Sequence, residues 1–359
     1  DSNELLEIAA TYQKDIYITH NTLEGSSKSG LFVYNGADDS HFMNLSFNNI
    51  GNCDYAAVRI FKQTDNDSLF ENYLLMGNQI YDSAVGVMLH NNNYTPYSTG
   101  NLLTANIFKN NGQSVQFNYV EESMITNNLF YADTTTADYH SAVTTTATDG
   151  VFYTSNGFFS FAGTALTVNS ENSILANNFI FKSGKTGLIF NATDGVASYN
   201  YIFDANQDGG TSNLHNSGIA FNNHDRVYGV GNIMHSYSGP SQYRALYSGG
   251  YTAASDSSVL RDNHFHRWAA ADPFFYSGSY IDPWDRVVTL SAGTTTDVDM
   301  DITFGASFQV HITPIDSAAH ALDPYFAQWR TNGFRITHGT AAGTEQVMYS
   351  IRPAQMLER

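Results

Sequence analysis

ILANNFIFKSGKTGLIFNATDGVASYNYIF, residues Ile174–Phe203, says nearly the same thing twice. The run NNFIF at Asn177–Phe181 returns as YNYIF at Tyr199–Phe203, with Asn178 and Asn200 22 positions apart. An asparagine followed by apolar residues, recurring at a fixed interval, marks a structural unit repeated along the chain.

The pair belongs to a ladder of ten asparagines: Asn21, Asn48, Asn78, Asn106, Asn128, Asn156, Asn178, Asn200, Asn232 and Asn263. The successive intervals are 27, 30, 28, 22, 28, 22, 22, 32 and 31. The minimum of 22 recurs three times, and the longer intervals read as the same unit plus a loop. Between asparagines lies a second repeat, a small residue followed by an alternating triplet. Its triplets start at Leu31, Val58, Val87, Val115, Val143, Leu166, Leu188, Ile219 and Leu246. Alternation places the outer residues of each triplet inward and the middle one outward, as a strand requires. One such unit cannot bury its apolar face. Stacked units can, at ~4.8 Å per coil, and an inward asparagine in each coil can hydrogen-bond the backbone and its own copies.

Composition agrees. The 359 residues are 42% hydrophobic, 14% aromatic and only 14% charged, which favours many short strands and turns. The net charge of −18, with 16 Lys and Arg in all, excludes a nucleic-acid footprint. The single cysteine, Cys53, leaves no internal disulfide. No apolar run of about 18 residues is present, so no membrane insertion is expected. No basic segment followed by an apolar run opens the chain, so no signal peptide is expected. The abrupt strand-like start suits a piece of a longer chain.

With these repeats the sequence resembles the right-handed parallel β-helix family, the architecture of pectate lyases, polygalacturonases and phage tailspikes. The resemblance covers about residues 5–290 and implies an all-β, single-stranded helix of about ten coils. From Ser291 the pattern becomes alternating strands separated by turns, a small antiparallel β module. The expected division is 1–290 for the helix and 291–359 for the module. The succession VHITP, NGFRITH, VMYSI looks like the C-terminal modules of phage tailspikes and tail fibres, which trimerise the chain or aid receptor binding. The resemblance therefore implies an extracellular, virion-borne homotrimer that meets a bacterial surface polysaccharide, and no sequence motif points to a cofactor or metal.

Loop lengths outline a place for that polymer. From triplet to next asparagine the spacing is 12 or 13 in five consecutive coils and 17 to 20 in the flanking ones. That profile is a floor between walls at Phe61–Asp67 and His90–Tyr97 on one side and Gly249–Ser258 on the other. His90, Tyr94, Tyr97 and Tyr251 are wall candidates for sugar contact. The opposite edge has insertions carrying Asp133, Asp138, His140, Asp204, Asp208, His215, His235 and Tyr243, a second candidate groove.

A glycoside hydrolase needs two carboxyl groups, ~5 Å apart for retention and ~6.5–9.5 Å apart for inversion. A lyase needs a base and a cation for the uronate. Counted seven positions from the triplet start, the floor reads Glu121, Asp149, Asn172, Asp194 and Asp225. Short Asp and Asn side chains suit a turn, so Asp149, Asp194 and Asp225 read first as structural. Asp149 and Asp225 are also substrate contacts if the floor binds sugar. Glu121 breaks the column, Glu122 follows it, and Glu171 lies two coils on, ~10 Å between backbones. These three glutamates are the catalytic candidates. Arg59 would hold a sugar carboxylate or pair with Asp65, Asp67 or Glu71. His224, Asp225 and Arg226 form a dense polar triplet that could orient a sugar or supply a lyase base. His264 and His266 alternate on one strand and make a weak metal pattern.

One further column conflicts with solvent exposure. Four positions before each asparagine the chain reads Tyr17, Asn44, Leu74, Leu102, Met124, Phe152, Ile174, Val196, Tyr228 and Val259. If these point outward, an apolar stripe runs the length of the solenoid, and packing against identical chains is the reading that covers it. The expected function is a tailspike-type depolymerase acting by hydrolysis. A non-catalytic glycan-binding spike and a polysaccharide lyase are the alternatives.

Overall fold

The computed structural model describes residues 4–10, 13–35, 40–62, 70–91, 98–132, 141–146, 148–191, 193–205, 217–222, 226–235, 244–249, 259–261, 263–266, 280–281, 284–299, 308–314, 317–330 and 333–353. The repeat folds as a right-handed parallel β-helix. Three parallel sheets of 11, 11 and 10 strands run along the stack. The triplet sheet begins with Leu6–Ala10 and continues through Ser29–Asn35 to Arg244–Gly249. A second sheet collects the strands before each asparagine, from Gln13–Thr19 to Val259–Arg261, and takes Tyr280–Ile281 at its end. The third collects those after it, from Thr22–Glu24 to His264–His266.

Every strand pairs with its copy one coil away, so like residues stack in columns. Phe108, Phe130 and Phe158 are buried in one inward column, with ring centres 4.8 and 4.7 Å apart and nearly parallel planes. Those distances are the inter-strand spacing itself, ~4.7–4.9 Å. Leu103, Ile125, Tyr153, Leu175 and Ala197 fill the inward column of the second sheet.

The ten asparagines form one continuous ladder. Each backbone N–H from Asn21 to Asn232 donates to the side-chain oxygen of the next asparagine, at 2.9–3.1 Å. From Asn48 onward each side-chain nitrogen also reaches a carbonyl in the preceding coil, as Asn156 does to Ile125 at 2.8 Å. The amides therefore satisfy one another inside the core, which is what makes their burial tolerable.

The coils bend at up to three left-handed residues each, and their positions are fixed relative to the asparagine. The residue just before it has positive φ in nine coils: His20, Phe47, Gly77, Ala105, Asn127, Ser155, Asn177, Tyr199 and Gly231. So does the residue six before it, from Asp15 and Phe42 through Asn72, Gly100, Glu122, Gly150, Asn172 and Asp194 to Arg226. Gly25, Asn52, Asp82, Asn110, Ser160, Lys182 and Asp204 mark the third bend, four residues after it. Two of these glycines have a second reason. A Cβ on Gly77 would lie 2.7 Å from the Phe47 ring, and one on Gly231 would lie 2.6 Å from the Tyr199 ring. Each aromatic covers the glycine of the next coil.

The column four before the asparagine does point outward. Tyr17, Met124 and Tyr228 are 65, 42 and 51% exposed, and Leu74, Leu102, Phe152, Ile174 and Val196 are half-buried in register between them. Across the asparagine bend, the third sheet also turns apolar groups outward. Ile107, Leu129, Phe179 and Tyr201 are exposed, and Tyr131 stacks on Phe159 at 5.0 Å. Two apolar faces thus meet at one corner of the coil.

Beyond the stack, Trp284–Thr289, Phe308–Pro314 and Gln346–Pro353 form one antiparallel sheet, and Gly293–Asp299, Tyr325–Arg330 and Gly333–Ala341 another. Phe334 and Tyr349 join the two edge to face at 4.9 Å. The strand Trp284–Thr289 pairs with Gln346–Pro353, so the module starts a strand earlier than the break in sequence pattern at residue 291. Buried His338 is a structural group, its Nε2 2.8 Å from the Thr296 hydroxyl and its Nδ1 2.7 Å from the Gly339 carbonyl.

Candidate functional site

The carboxylates lie where the triplet strand turns into the second sheet. Glu121 forms a parallel bridge with Asp149, and Asp149 pairs in register with Glu171. Paired residues of adjacent parallel strands point to the same side, so Glu121, Asp149 and Glu171 share one column across three coils. Adjacent members are ~4.8 Å apart at the backbone, and Glu121 and Glu171 are ~10 Å apart. This corrects the column read from sequence. Asn172 and Asp194 do not continue Glu121 and Asp149. They occupy the left-handed bend one residue later, with Glu122 and Gly150. The spacing from triplet to asparagine is one residue shorter at Leu166 and Leu188 than at Val115 and Val143, which shifted the count.

Glu121 and Asp149 are half-buried, and Glu122 and Glu171 are exposed. Burial, first, and then the charges of Asp149 and Glu122 push the Glu121 carboxyl above its ordinary range. Asn172 donates its side-chain amide to Asp149 Oδ1 at 2.8 Å and fixes that carboxylate from the next coil. A carboxyl whose pKa is raised beside a held carboxylate is the arrangement an acid–base or acid–nucleophile pair requires.

Beside the column runs a rail of amides at the ends of the triplet strands. Asn222 donates to Asn191 Oδ1 at 2.9 Å, Asn191 to Asn169 Oδ1, and Asn169 to the Thr145 carbonyl at 2.9 Å. Asn118 stands in the coil of Glu121, its side-chain nitrogen 2.8 Å from His90 Nδ1, where the ring nitrogen accepts. His90 also stacks on Phe61 at 5.5 Å, with planes 9° apart. Sequence reasoning missed the rail, although an Asn at the fourth triplet position in four coils was its signal.

Other candidates are not joined to this column. The Arg59 guanidinium lies about 5 Å over three rings: Phe32 at 4.9, Tyr55 at 5.0 and Phe61 at 5.0 Å. Its Nε is buried without a hydrogen-bond partner, and no ion pair of Arg59 forms among the described residues. Aromatic packing explains its place on this acidic chain. Arg226 makes a bidentate pair with Asp194, and this bond holds the Asp194 carboxyl below its usual range. Tyr94, Tyr97, His224, Asp225 and Tyr251 lie outside the described residues, as do Asp65, Asp67, Asp133, Asp138, His140, Asp208, His215 and Tyr243. Asp204 and His235 remain on the opposite edge. Among the described residues, no group of three or more His, Cys, Asp or Glu side chains is arranged to hold a metal ion. Cys53 is buried, and burial raises its thiol pKa.

No family model matches the sequence, and no curated protein matches it. Among solved structures, the tailspike protein gp49 from Pseudomonas phage LKA1 is similar at 9% identity and TM-score 0.41, over 95% of this chain and 67% of that one. An alginate lyase from Paenibacillus sp. str. FPU-7 has 8% identity and TM-score 0.44, over 73% and 97%. A tailspike variant of E. coli bacteriophage HK620 has 12% identity and TM-score 0.44, over 94% and 64%. The chain thus spans about two thirds of the length of these tailspikes. At these scores the likeness carries no argument about reaction or substrate. The β-helix is established by the chain's own strand pairing.

Proposed function

We propose that this chain binds and cleaves a bacterial surface polysaccharide by glycosidic hydrolysis, as a tailspike-type depolymerase. The observation that carries the reading is Glu121 beside Asp149 on adjacent coils, one carboxyl pushed toward its protonated form and the other held by Asn172. Glu121 donates the proton to the leaving oxygen. Asp149 attacks the anomeric carbon or activates water. The ~4.8 Å coil spacing suits the short separation of a retaining pair. Glu171, two coils from Glu121, is the partner at the longer, inverting separation. The coil axis runs along the column, so a polymer lying on it would place successive sugars over successive coils.

The apolar corner supports self-association. A chain with apolar groups on both sides of one bend buries both faces most simply in a closed cyclic assembly, each copy meeting two neighbours. A homotrimer, carried on a virion, is the form we propose. A lyase is the second reading, with exposed Glu122 or Glu171 as the base that takes the proton α to a uronate carboxyl. Digestion of bacterial surface polysaccharide separates the readings. Shorter products with new reducing ends indicate hydrolysis, unsaturated ends indicate elimination, and binding without products indicates a recognition spike.

A further inference from the structure

From the geometry and charge of the same face we infer its substrate class: the stretch of glycan over Glu121, Asp149 and Glu171 is uncharged, carrying hydroxyl and acetamido groups and no carboxylate, sulfate or phosphate. The inference rests on the reading that this face takes a glycan. Its first support is the charge laid out along the coils. Glu121, Asp149 and Glu171 form one outward column, and Glu122 and Asp194 stand one residue beyond it. Among the described residues of this face the one cation is Arg226, which is already committed to Asp194 by two hydrogen bonds. Arg59 on the triplet sheet is enclosed by Phe32, Tyr55 and Phe61. Among the described residues, a uronate or sulfate laid here would face carboxylates with no cation left to neutralise it.

The second support is independent of charge. The rail of Asn169, Asn191 and Asn222 starts in the coil of Glu171 and runs over the next two coils, each member half-buried, while Asn118 stands buried in the coil of Glu121 and Thr146 takes the position in the coil of Asp149. Each amide spends part of its capacity on its neighbour. An amide has two donors and two acceptor sites, so the half-buried Asn169, Asn191 and Asn222 retain groups for a ligand. Uncharged donors and acceptors on three consecutive coils, at Asn169, Asn191 and Asn222, match hydroxyl and acetamido groups at one per sugar. The pairing of an amide rail with an acidic column selects against an anion and for a polar, neutral chain.

The test uses surface polysaccharides from a panel of bacteria, each separated by anion exchange into an uncharged and an anionic fraction. Glu121→Gln protein is used so that cleavage does not consume the ligand. Retention of the uncharged fraction should exceed that of the anionic one by at least about tenfold. It should change little between about 0.1 and about 1 M NaCl, where the screening length falls from about 10 to about 3 Å. Glu122→Gln combined with Glu171→Gln should raise retention of the anionic fraction several-fold. Preferential binding of the anionic fraction by the Glu121→Gln protein would overturn the inference and leave the glycan reading intact. An unchanged anionic retention in the double variant would overturn the assignment of the discrimination to this face. Binding of neither fraction would overturn the glycan reading, and the inference with it.

Discussion

Glu121 and Asp149 are register partners on adjacent coils, and their carboxyl groups share one outward column. Nothing in the fold requires a glutamate there. The residue preceding a left-handed bend can be any polar group, as Thr193 shows two coils beyond Asp149. If the pair is the acid and its carboxylate partner, Glu121→Gln and Asp149→Asn should each lower the rate of glycan cleavage by about 10²–10⁴-fold. Thermal unfolding should stay within a few degrees of wild type, since neither side chain is in the core. Equal loss in Glu171→Gln with an active Asp149→Asn would move the pair to Glu121 and Glu171.

Glu121 titrates upward because it is half-buried and faces Asp149 and Glu122. An acid catalyst must keep its proton, so activity should fall on the alkaline side only above the ordinary glutamate range. Replacing Asp149 by Asn removes a negative charge that disfavours the ionised form. The Glu121 midpoint, followed by carbon-detected NMR, should therefore move down. Burial remains in that variant, so the midpoint should stay above that of an exposed glutamate.

Asn156 shows what the ladder contributes. Its side-chain oxygen accepts from the backbone and side-chain nitrogens of Asn128, and its nitrogen donates to Ile125 and Asn178. Asn156→Ala strands buried donors and acceptors in two neighbouring coils. A loss of about 2–4 kcal/mol in denaturant unfolding is expected. Asn156→Asp restores the acceptor but not the donors and buries a charge, so it should not rescue stability.

The ladder and the stack were legible in sequence because one residue type recurs at one inward position with a strict minimum spacing. The apolar column from Tyr17 to Tyr228 was legible for the same reason. The carboxylate column was not, because it was counted forward from the triplet. Counted back seven residues from each asparagine, Glu121, Asp149 and Glu171 align at once. The asparagine is the better origin because its hydrogen bonds fix it in every coil, whereas the segment after the triplet varies by a residue. The three bends were also missed. They occur in Phe42, Phe47, Tyr199 and Arg226 as well as in Gly, Asn and Asp, so residue type alone does not reveal them. Arg59 was read as a sugar or carboxylate partner because its aromatic neighbours come partly from another coil, through Phe32.

Gly231 sits under the Tyr199 ring with φ of +67°. Gly231→Ala meets both a left-handed backbone and the ring, and should cost about 1–3 kcal/mol. Pairing it with Tyr199→Ala removes the clash and should recover part of the loss, leaving the backbone share. A double-variant cycle by thermal unfolding measures the two contributions.

The apolar corner makes a separate prediction. Met124→Glu and Ile174→Glu place charge on the outward stripe without touching the buried column beside it. Both should shift sedimentation from a trimer to a monomer with parallel-sheet circular dichroism retained. A wild-type chain that sediments as a monomer at micromolar concentration contradicts the assembly.

The central claim is hydrolysis at the Glu121–Asp149 pair, and product analysis of a bacterial surface polysaccharide digest tests it most directly. Wild-type protein should yield shorter chains whose new ends are reducing and saturated, and Glu121→Gln and Asp149→Asn should yield none. Unsaturated ends, or undiminished cleavage by both variants, would contradict it.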